Sequence, residues 1–506
     1  MTEKVSTRYV IAGGGTAGWM IAAALARFAP PGTSISLIES DAIGTVGVGE
    51  ATIPQIHLFN RALGFDEREF LRKTRGSFKL GIEFDGWRRE GEAYMHAFGP
   101  IGRPLGLLPF QQYWLRAKKA GFAKPLQRYS MNELAARTIR MHRGKTVQGG
   151  EMPYAYHFDA GLYAEFLRAF AEARGVRRIE GKIGTVEQDS ESGDITALSL
   201  ESGPLIEGDF FIDCTGFRAL LIDGALEAGF DDWSNFLPCD RALAVPCEGA
   251  GDFTPYTKAI ARKAGWQWRI PLQNRIGNGL VYCSKYLSDD EASETLLANL
   301  DGKPTADPRP IQFTTGKRRE HWKNNCLAVG LAAGFMEPME STSIHMIQSA
   351  ISRFLQVLPQ HGGKAEQATK DWFNDQATFE WERIRDFLVL HYTANEREGQ
   401  PFWDHVRNME LPATLTAKLE QWKASGFIHR EHEELFTEVG WFQVLVGQGV
   451  EAEGYNPIAD AVPEADVRRL LDQTEHALVA QVKPMPSHID FLQNYVTGKT
   501  RSEVPA

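Results

Sequence analysis

The chain has 506 residues, with 55 lysines and arginines against 65 aspartates and glutamates, for a formal net charge of −10. Apolar residues make up 43% and charged residues 24%, the proportions of an ordinary globular protein; an acidic chain without a long basic run disfavours nucleic acid and anionic membranes as main partners. The 48 glycines follow no period, and the 5 cysteines (Cys214, Cys239, Cys247, Cys283, Cys326) are odd in number, widely spaced and free of CxxC, which disfavours collagen, a disulfide framework and a zinc site and fits a reducing cytoplasm.

Residues 9–26 carry no charge and have the length of a spanning helix. Gly13, Gly14, Gly15 and Gly18 interrupt the run, and Glu3 spoils a secretory leader. The pattern predicts a buried strand over 9–12, a glycine turn, and an alanine-rich helix over 16–28 that Pro30 and Pro31 stop. A second strand follows over 34–39, so the chain opens as a βαβ unit with a parallel sheet.

Residues 79–85 alternate as one strand, with Leu80, Ile82 and Phe84 on one face and Lys79, Gly81, Glu83 and Asp85 on the other. The stretch 100–150 is irregular. Residues 160–172 form an amphipathic helix with Leu162, Phe166, Leu167 and Phe170 as its apolar face. Residues 182–216 read as a β-meander with a turn at 192–194 that returns to the sheet at 210–212. Strands follow at 266–271, 280–283 and 327–329. A helix starts near Ser343, where Ile344, Ile347, Ile351, Phe354, Leu355 and Leu358 recur at helical spacing. The remainder after 363 is mostly helical. A length of roughly 150 residues per domain allows about three units. The division expected is a body over 1–360, with insertions near 90–150 and 220–310, and a helical region over 361–506.

Four motifs bear on chemistry. Gly13-x-Gly15-x-x-Gly18 follows a strand and opens a helix, with Glu39 ending the next strand. Close backbone approach, free helix N–H groups and a carboxylate for ribose hydroxyls together bind a dinucleotide. Residues 47–54 (GVGEATIP) form a loop after the second strand. Residues 330–343 run from glycines through Glu337, Pro338, Glu340, Ser341 and Thr342 into a helix whose N-terminus suits an anion or is simply capped by Ser341 or Thr342. Trp266 and Trp268 sit at i and i+2 on one strand face, as a wall or as core.

In their order and spacing these motifs, with Lys79 in GSFKLGIEFDGW, the WxWxIP block and FMEPMEST, resemble the flavin-dependent halogenases of the tryptophan halogenase type over about residues 5–455. The resemblance implies an α/β fold: an FAD-binding Rossmann-like body of the flavin monooxygenase type, an inserted β-sheet substrate region and a helical C-terminal cap. It implies reduced FAD supplied by a separate NAD(P)H-dependent flavin reductase, chloride or bromide as co-substrate, a small indole-type aromatic substrate, and dimerisation. Hypohalous acid made from halide and oxygen would travel inside the protein to a lysine, here Lys79. Phe78, Phe84 and Trp87 would wall that amine and Gly81 would leave space beside it; desolvation would lower its pKa. Glu340 matches the catalytic glutamate, which stabilises the cationic ring and accepts its proton. Thr342 and Ser343 match the halide site. The tryptophan-specific members carry glycine where this chain has Ser343, so a β-carbon intrudes and a positive φ would be disfavoured. Trp266 and Trp268 match the wall between flavin and substrate. FAD contacts carry over to Gly13, Gly15, Thr16, Ala17, Gly18, Glu39, Ala51, Val186, Leu331 and Ile344. Residues 96–98, Trp441 and Phe442 are the substrate-pocket candidates.

His429, His432, Glu433 and Glu434 read as a solvated face rather than a metal site. Two other functions share the dinucleotide motif: an aromatic hydroxylase and a non-catalytic flavin-binding protein.

Overall fold

The computed structural model describes residues 7–43, 49–249, 251–359, 362–431 and 433–498. Gly47 and Val48 of the GVGEATIP loop, and His432, lie outside the described residues. The chain forms two compact units, and it crosses between them repeatedly. One unit comprises Met1–Gly76, Phe158–Ser234 and Phe313–Glu382; the other comprises Ser77–His157, Asn235–Gln312 and Arg383–Ala506.

The first unit is built on a six-stranded sheet ordered Trp322–Lys323, Cys326–Ala328, Phe210–Asp213, Arg8–Ala12, Ser34–Glu39, Arg177–Glu180. All neighbours pair in parallel except the first two. The central strand is buried from Tyr9 to Ala12, as expected of a parallel strand covered on both faces. The helix Thr16–Phe28 follows directly and buries Gly18 through Leu25. Its alanines let it lie close to the helices Ala160–Glu172 and Ser343–Gln356. The meander forms its own antiparallel sheet from Ile183–Gln188, Ile195–Leu200 and Leu205–Glu207. No described helix is long and apolar enough to cross a membrane, and residues 9–26 form the strand, turn and helix read from the glycines.

The helix Ala160–Glu172 has the predicted bounds, but its buried side is Tyr163, Leu167 and Ala171, while Phe166 and Phe170 are half-exposed. Both rings instead stand edge-on against Phe65, at 4.7 and 4.9 Å between centroids. Alanine and tyrosine take the inner face because the neighbouring helix approaches closely.

The second unit centres on a seven-stranded sheet ordered Arg309–Gln312, Arg241–Cys247, Ile276–Tyr282, Gly265–Pro271, Thr257–Arg262, Gly81–Asp85, Ala93–Ala97. Only Thr257–Arg262 with Gly81–Asp85 is parallel. Helices 438–447 and 131–137 lie against its Gly81–Ala97 end. The irregular stretch 100–150 contains two helices, Phe110–Lys119 and Met131–Arg137, that its pattern did not reveal.

The alternating run 79–85 is not one strand. It breaks at Leu80 into Ser77–Lys79, which pairs with residues 155–157, and Gly81–Asp85, which joins the seven-stranded sheet. Leu80 bridges the two by donating its N–H to Pro255 and accepting from the Phe98 N–H. Alternation survives a switch between sheets, so period alone cannot detect it.

Candidate active site

In the first unit the glycine turn divides into packing glycines and one open position. Gly13 has φ +108°, and a β-carbon there would stand 2.2 Å from the carbonyl oxygen of Cys214. One at Gly14 would stand 1.6 Å from Glu39 Oε2, and one at Gly18 1.9 Å from the Gly13 carbonyl oxygen. At Gly15 nothing lies within 4 Å. Gly15 is also the N-cap of the helix Thr16–Phe28, and no side chain caps it. A helix N-terminus with uncapped N–H groups beside an open glycine fits a pyrophosphate.

Glu39, which carries the ribose reading, is fixed by Trp19 Nε1, which donates to Oε2 at 3.3 Å, and by Arg178. Further lone pairs on a carboxylate remain for hydroxyl donors. Gly330 approaches Ala17 so closely that an added β-carbon would meet its Cβ at 2.7 Å; Ile347 lies 3.8 Å from the same point. The turn at Gly13–Gly18 is thereby joined to Gly330–Ala332, which contains Leu331, and to the helix containing Ile344. Ala51 ends the buried strand Gly49–Ala51 in the same unit. Val186 lies elsewhere, on the separate three-stranded sheet opposite Leu198. The donor set around Gly15 and Glu39 fits an FAD; the structure itself carries no ligand.

Glu340 is 1% exposed at the end of the short turn Pro338–Glu340. Ser341 follows with φ +60°, a left-handed conformation that a serine adopts only when its surroundings impose it. Thr342 is buried and is the N-cap of the helix Ser343–Gln356, yet makes no side-chain cap hydrogen bond. Capping of the first turn by the Thr342 side chain is therefore not realised. Ser343 is helical and absent from the positive-φ residues, so its β-carbon adds no backbone strain; the strained position is Ser341.

In the second unit, Lys79 is 0% exposed. Lysine is almost never fully buried without specific provision. Its Nζ lies 5.3 Å from the centroid of Phe98. The wall differs from the predicted one. Phe78 points among Tyr154, Tyr156, Phe491 and Tyr495. Phe84 stacks on His391 and Tyr94, with Trp87 edge-on. Nor does Gly81 leave space: a β-carbon there would meet the His96 carbonyl oxygen at 2.7 Å. That glycine exists for the neighbouring strand, not for the lysine.

A buried hydrogen-bond chain supports the lysine strand. Ser77 donates to the carbonyl of Pro271 at 2.8 Å. With its proton so committed, Ser77 Oγ accepts from His157 Nδ1 at 3.2 Å, and His157 Nε2 takes the Thr257 hydroxyl at 2.9 Å. Burial, and then the charge of Lys79, hold His157 well below the usual histidine range, so it stays neutral. The chain joins residues 77, 157, 257 and 271, too far apart in sequence for any local pattern to find.

Trp266 and Trp268 lie on one face of Gly265–Pro271, both buried, with ring centroids 6.2 Å apart. Trp268 lies over Gly279, where a β-carbon would sit 2.0 Å from its ring. The glycine opposite makes room for the indole.

Of the substrate-pocket candidates, His96 and Trp441 both meet the ring of Phe387. Ala97 exchanges two hydrogen bonds with the side-chain amide of Gln443, at 2.9 and 3.0 Å. This fixes the helix Glu438–Gly447 to the strand Ala93–Ala97. His96 lies beside Phe387 and Phe436, which stack at 3.8 Å, and Trp441 stands edge-on to Phe387. Phe442 faces away, against Trp114 and Trp422. Glu434 is buried in an ion pair with Lys418 rather than on a solvated face. Among the described residues no group of three or more His, Cys, Asp or Glu could hold a metal.

The tryptophan halogenase family model matches residues 8–464. Tryptophan 6-halogenase SttH of Streptomyces toxytricini is 36% identical over 453 residues, covering 84% of this chain and 85% of that protein. Two solved structures align over 97% of the chain. Xcc4156, a flavin-dependent halogenase from Xanthomonas campestris, is 46% identical with a TM-score of 0.93, covering 98% of that chain. BrvH, a flavin-dependent halogenase from Brevundimonas sp. BAL3, is 41% identical with a TM-score of 0.92, covering 99% of that chain. The fold, the glycine turn, the buried lysine and these matches have one reading: the chain belongs to the tryptophan halogenase family and is an enzyme of the flavin-dependent halogenase kind.

Proposed function

We propose that this enzyme halogenates an indole or another electron-rich aromatic, using hypohalous acid handled by Lys79. Bound reduced FAD would supply, with oxygen, the oxidising power that converts halide to hypohalous acid. Gly13, Gly15, Thr16, Ala17, Gly18, Glu39, Ala51, Leu331 and Ile344 would hold the flavin, with Val186 a peripheral contact. An NAD(P)H-dependent reductase would deliver it reduced. Thr342 and Ser343 hold the halide at the helix N-terminus.

The observation that carries the reading is the complete burial of Lys79. Hypohalous acid is consumed by any exposed nucleophile. An amine kept from bulk water can hydrogen-bond the acid, or take its halogen as a haloamine with loss of water, and pass it on. The net step replaces a ring hydrogen by halogen and forms water. The ring cation formed on attack loses its proton to Glu340, a carboxylate buried at 1% exposure. Trp266 and Trp268 keep the aromatic substrate from the oxidant's source.

The test is a panel of indoles and phenols with FAD, a flavin reductase, NADH, oxygen and either halide. A halogen isotope pair in the product supports the reading. One added oxygen instead marks a hydroxylase, and peroxide release with no turnover of any aromatic marks a non-catalytic flavin protein.

A further inference from the structure

The strand that ends in Lys79 is an edge strand, paired on one side with residues 155–157. The outer row of an edge strand offers N–H groups with no ladder partner. Here the Phe78 N–H, immediately before Lys79, is buried and is accepted by Nε2 of His488 at 3.3 Å. His488 comes from the other end of the chain. It is the first residue of the helix His488–Val496 and 0% exposed.

The ring is held from three sides. Its Nδ1 lies 3.0 Å from the Phe253 carbonyl oxygen, and its face stacks on the Phe253 ring at 4.7 Å with an interplanar angle of 11°. Its own backbone N–H donates to Ile139. A carbonyl facing Nδ1 requires a proton there, and an N–H facing Nε2 requires a lone pair, so only one neutral tautomer satisfies both. Burial lowers the pKa of His488 to about 4, in agreement. The same helix sends Phe491 and Tyr495 against Phe78, at 5.4 and 5.7 Å. Phe78 and Lys79 point to opposite faces of the strand. The C-terminal helix thus grips the face behind the lysine and leaves the amine's own face to the chemistry. These residues lie beyond the segment matched by the family model, which stops at 464.

We infer that His488 is a positioning residue for Lys79: through the Phe78 N–H, the C-terminal helix fixes the strand that presents the amine. This rests on the role proposed for Lys79. Loss of the imidazole frees the edge N–H and the Phe253 carbonyl together, and the strand end gains freedom where the amine must be placed.

The experiment uses the full-length enzyme, wild type, His488→Ala and His488→Gln, with FAD, a reductase, bromide and an indole, and monochlorodimedone as trap for escaped hypobromous acid. The readout is the ratio of bromoindole to trapped bromine, which counts only molecules folded well enough to oxidise halide. The expected result is a ratio at least about 10-fold lower in His488→Ala, partly restored in His488→Gln, whose amide can both donate and accept. A second readout needs no turnover: hydrogen exchange of the 77–80 segment in ligand-free protein rises in His488→Ala, while the strand 8–12 keeps its protection. An unchanged ratio, a parallel loss of both channels in both variants, or unchanged exchange overturns the inference. Should the wild type make no haloindole but capture bromine in the trap, the proposal for Lys79 fails, and the exchange result still decides whether His488 holds the strand.

Discussion

The hydroxyl of Ser77 donates to the carbonyl of Pro271 at 2.8 Å, tying the strand that ends in Lys79 to the strand that carries Trp266 and Trp268. The serine also accepts from His157, so one small side chain completes a buried network. Ser77→Ala would leave a buried carbonyl and a buried imidazole N–H without partners. It should destabilise the protein by about 1–3 kcal/mol, measured as a lower urea midpoint at unchanged slope. Full retention of stability would mean that water replaces the hydroxyl.

Lys79→Ala separates oxidant production from its use. The variant should consume oxygen at the wild-type rate and lose aromatic halogenation by at least about 100-fold, measured by oxygen electrode and product mass. Glu340→Gln should also lose halogenation, by about 100-fold or more. An undiminished product yield in Lys79→Ala would end its assigned role.

The four glycines of the first turn should respond differently. Gly13→Ala forces a β-carbon to 2.2 Å from a backbone oxygen at φ +108°, so the protein should melt at a lower temperature with or without FAD. Gly15→Ala meets nothing within 4 Å and sits at an ordinary φ of −70°, so the ligand-free melting temperature should hold. Its β-carbon would enter the space proposed for the pyrophosphate, and the FAD Kd should rise at least about 10-fold by fluorescence titration. Equal FAD affinity in Gly15→Ala would show the open position to be unused.

Ser343 is helical, so the glycine freedom present in the tryptophan-specific members is not needed at this position. Bromide sheds its hydration shell more readily than chloride, which favours it in a buried anion site. At equal concentrations of the two salts, brominated product should at least match chlorinated product. Ser343→Gly should leave that ratio unchanged. Strict chloride use would refute the preference.

Stability should fall on acidification partly through buried neutral histidines. His488, at a pKa of about 4, binds fewer protons folded than unfolded between pH 4 and about 6.5, so its contribution is intact above that window and shrinks as the pH drops through it. His321, lowered by burial to about 3, acts in the same sense, while burial raises Glu50 to about 7, which runs the opposite way. A difference isolates one group. Between pH 7.5 and pH 5, wild type should lose about 2 kcal/mol relative to His488→Gln, read from urea unfolding at each pH.

Much was legible locally. The strand Ser34–Glu39 and the helices Thr16–Phe28 and Ala160–Glu172 have the bounds their patterns predict, and the helix Ser343–Gln356 starts where expected but ends before Leu358; Pro30, Pro31, Asp159 and the 330–342 turn set the predicted ends within a few residues. Glycines before a helix and an acid about twenty residues on likewise form one short-range unit. What escaped was every feature needing two distant segments: the sheet switch at Leu80, the backbone approach that requires Gly81, and the exposed turn of the helix that bears Phe166.

The sequence by itself determined the βαβ opening, the start of a helix at residue 343 and the chemical types at 79 and 340, since those follow from neighbours a few positions apart. Only the tertiary structure decided that Lys79 is dry, that Phe98 is the ring beside it, and that Pro271, Thr257 and His488 secure its strand. Burial and hydrogen-bond completion depend on which segments meet in space, and segments 19 to 410 positions apart leave no periodic trace along the chain.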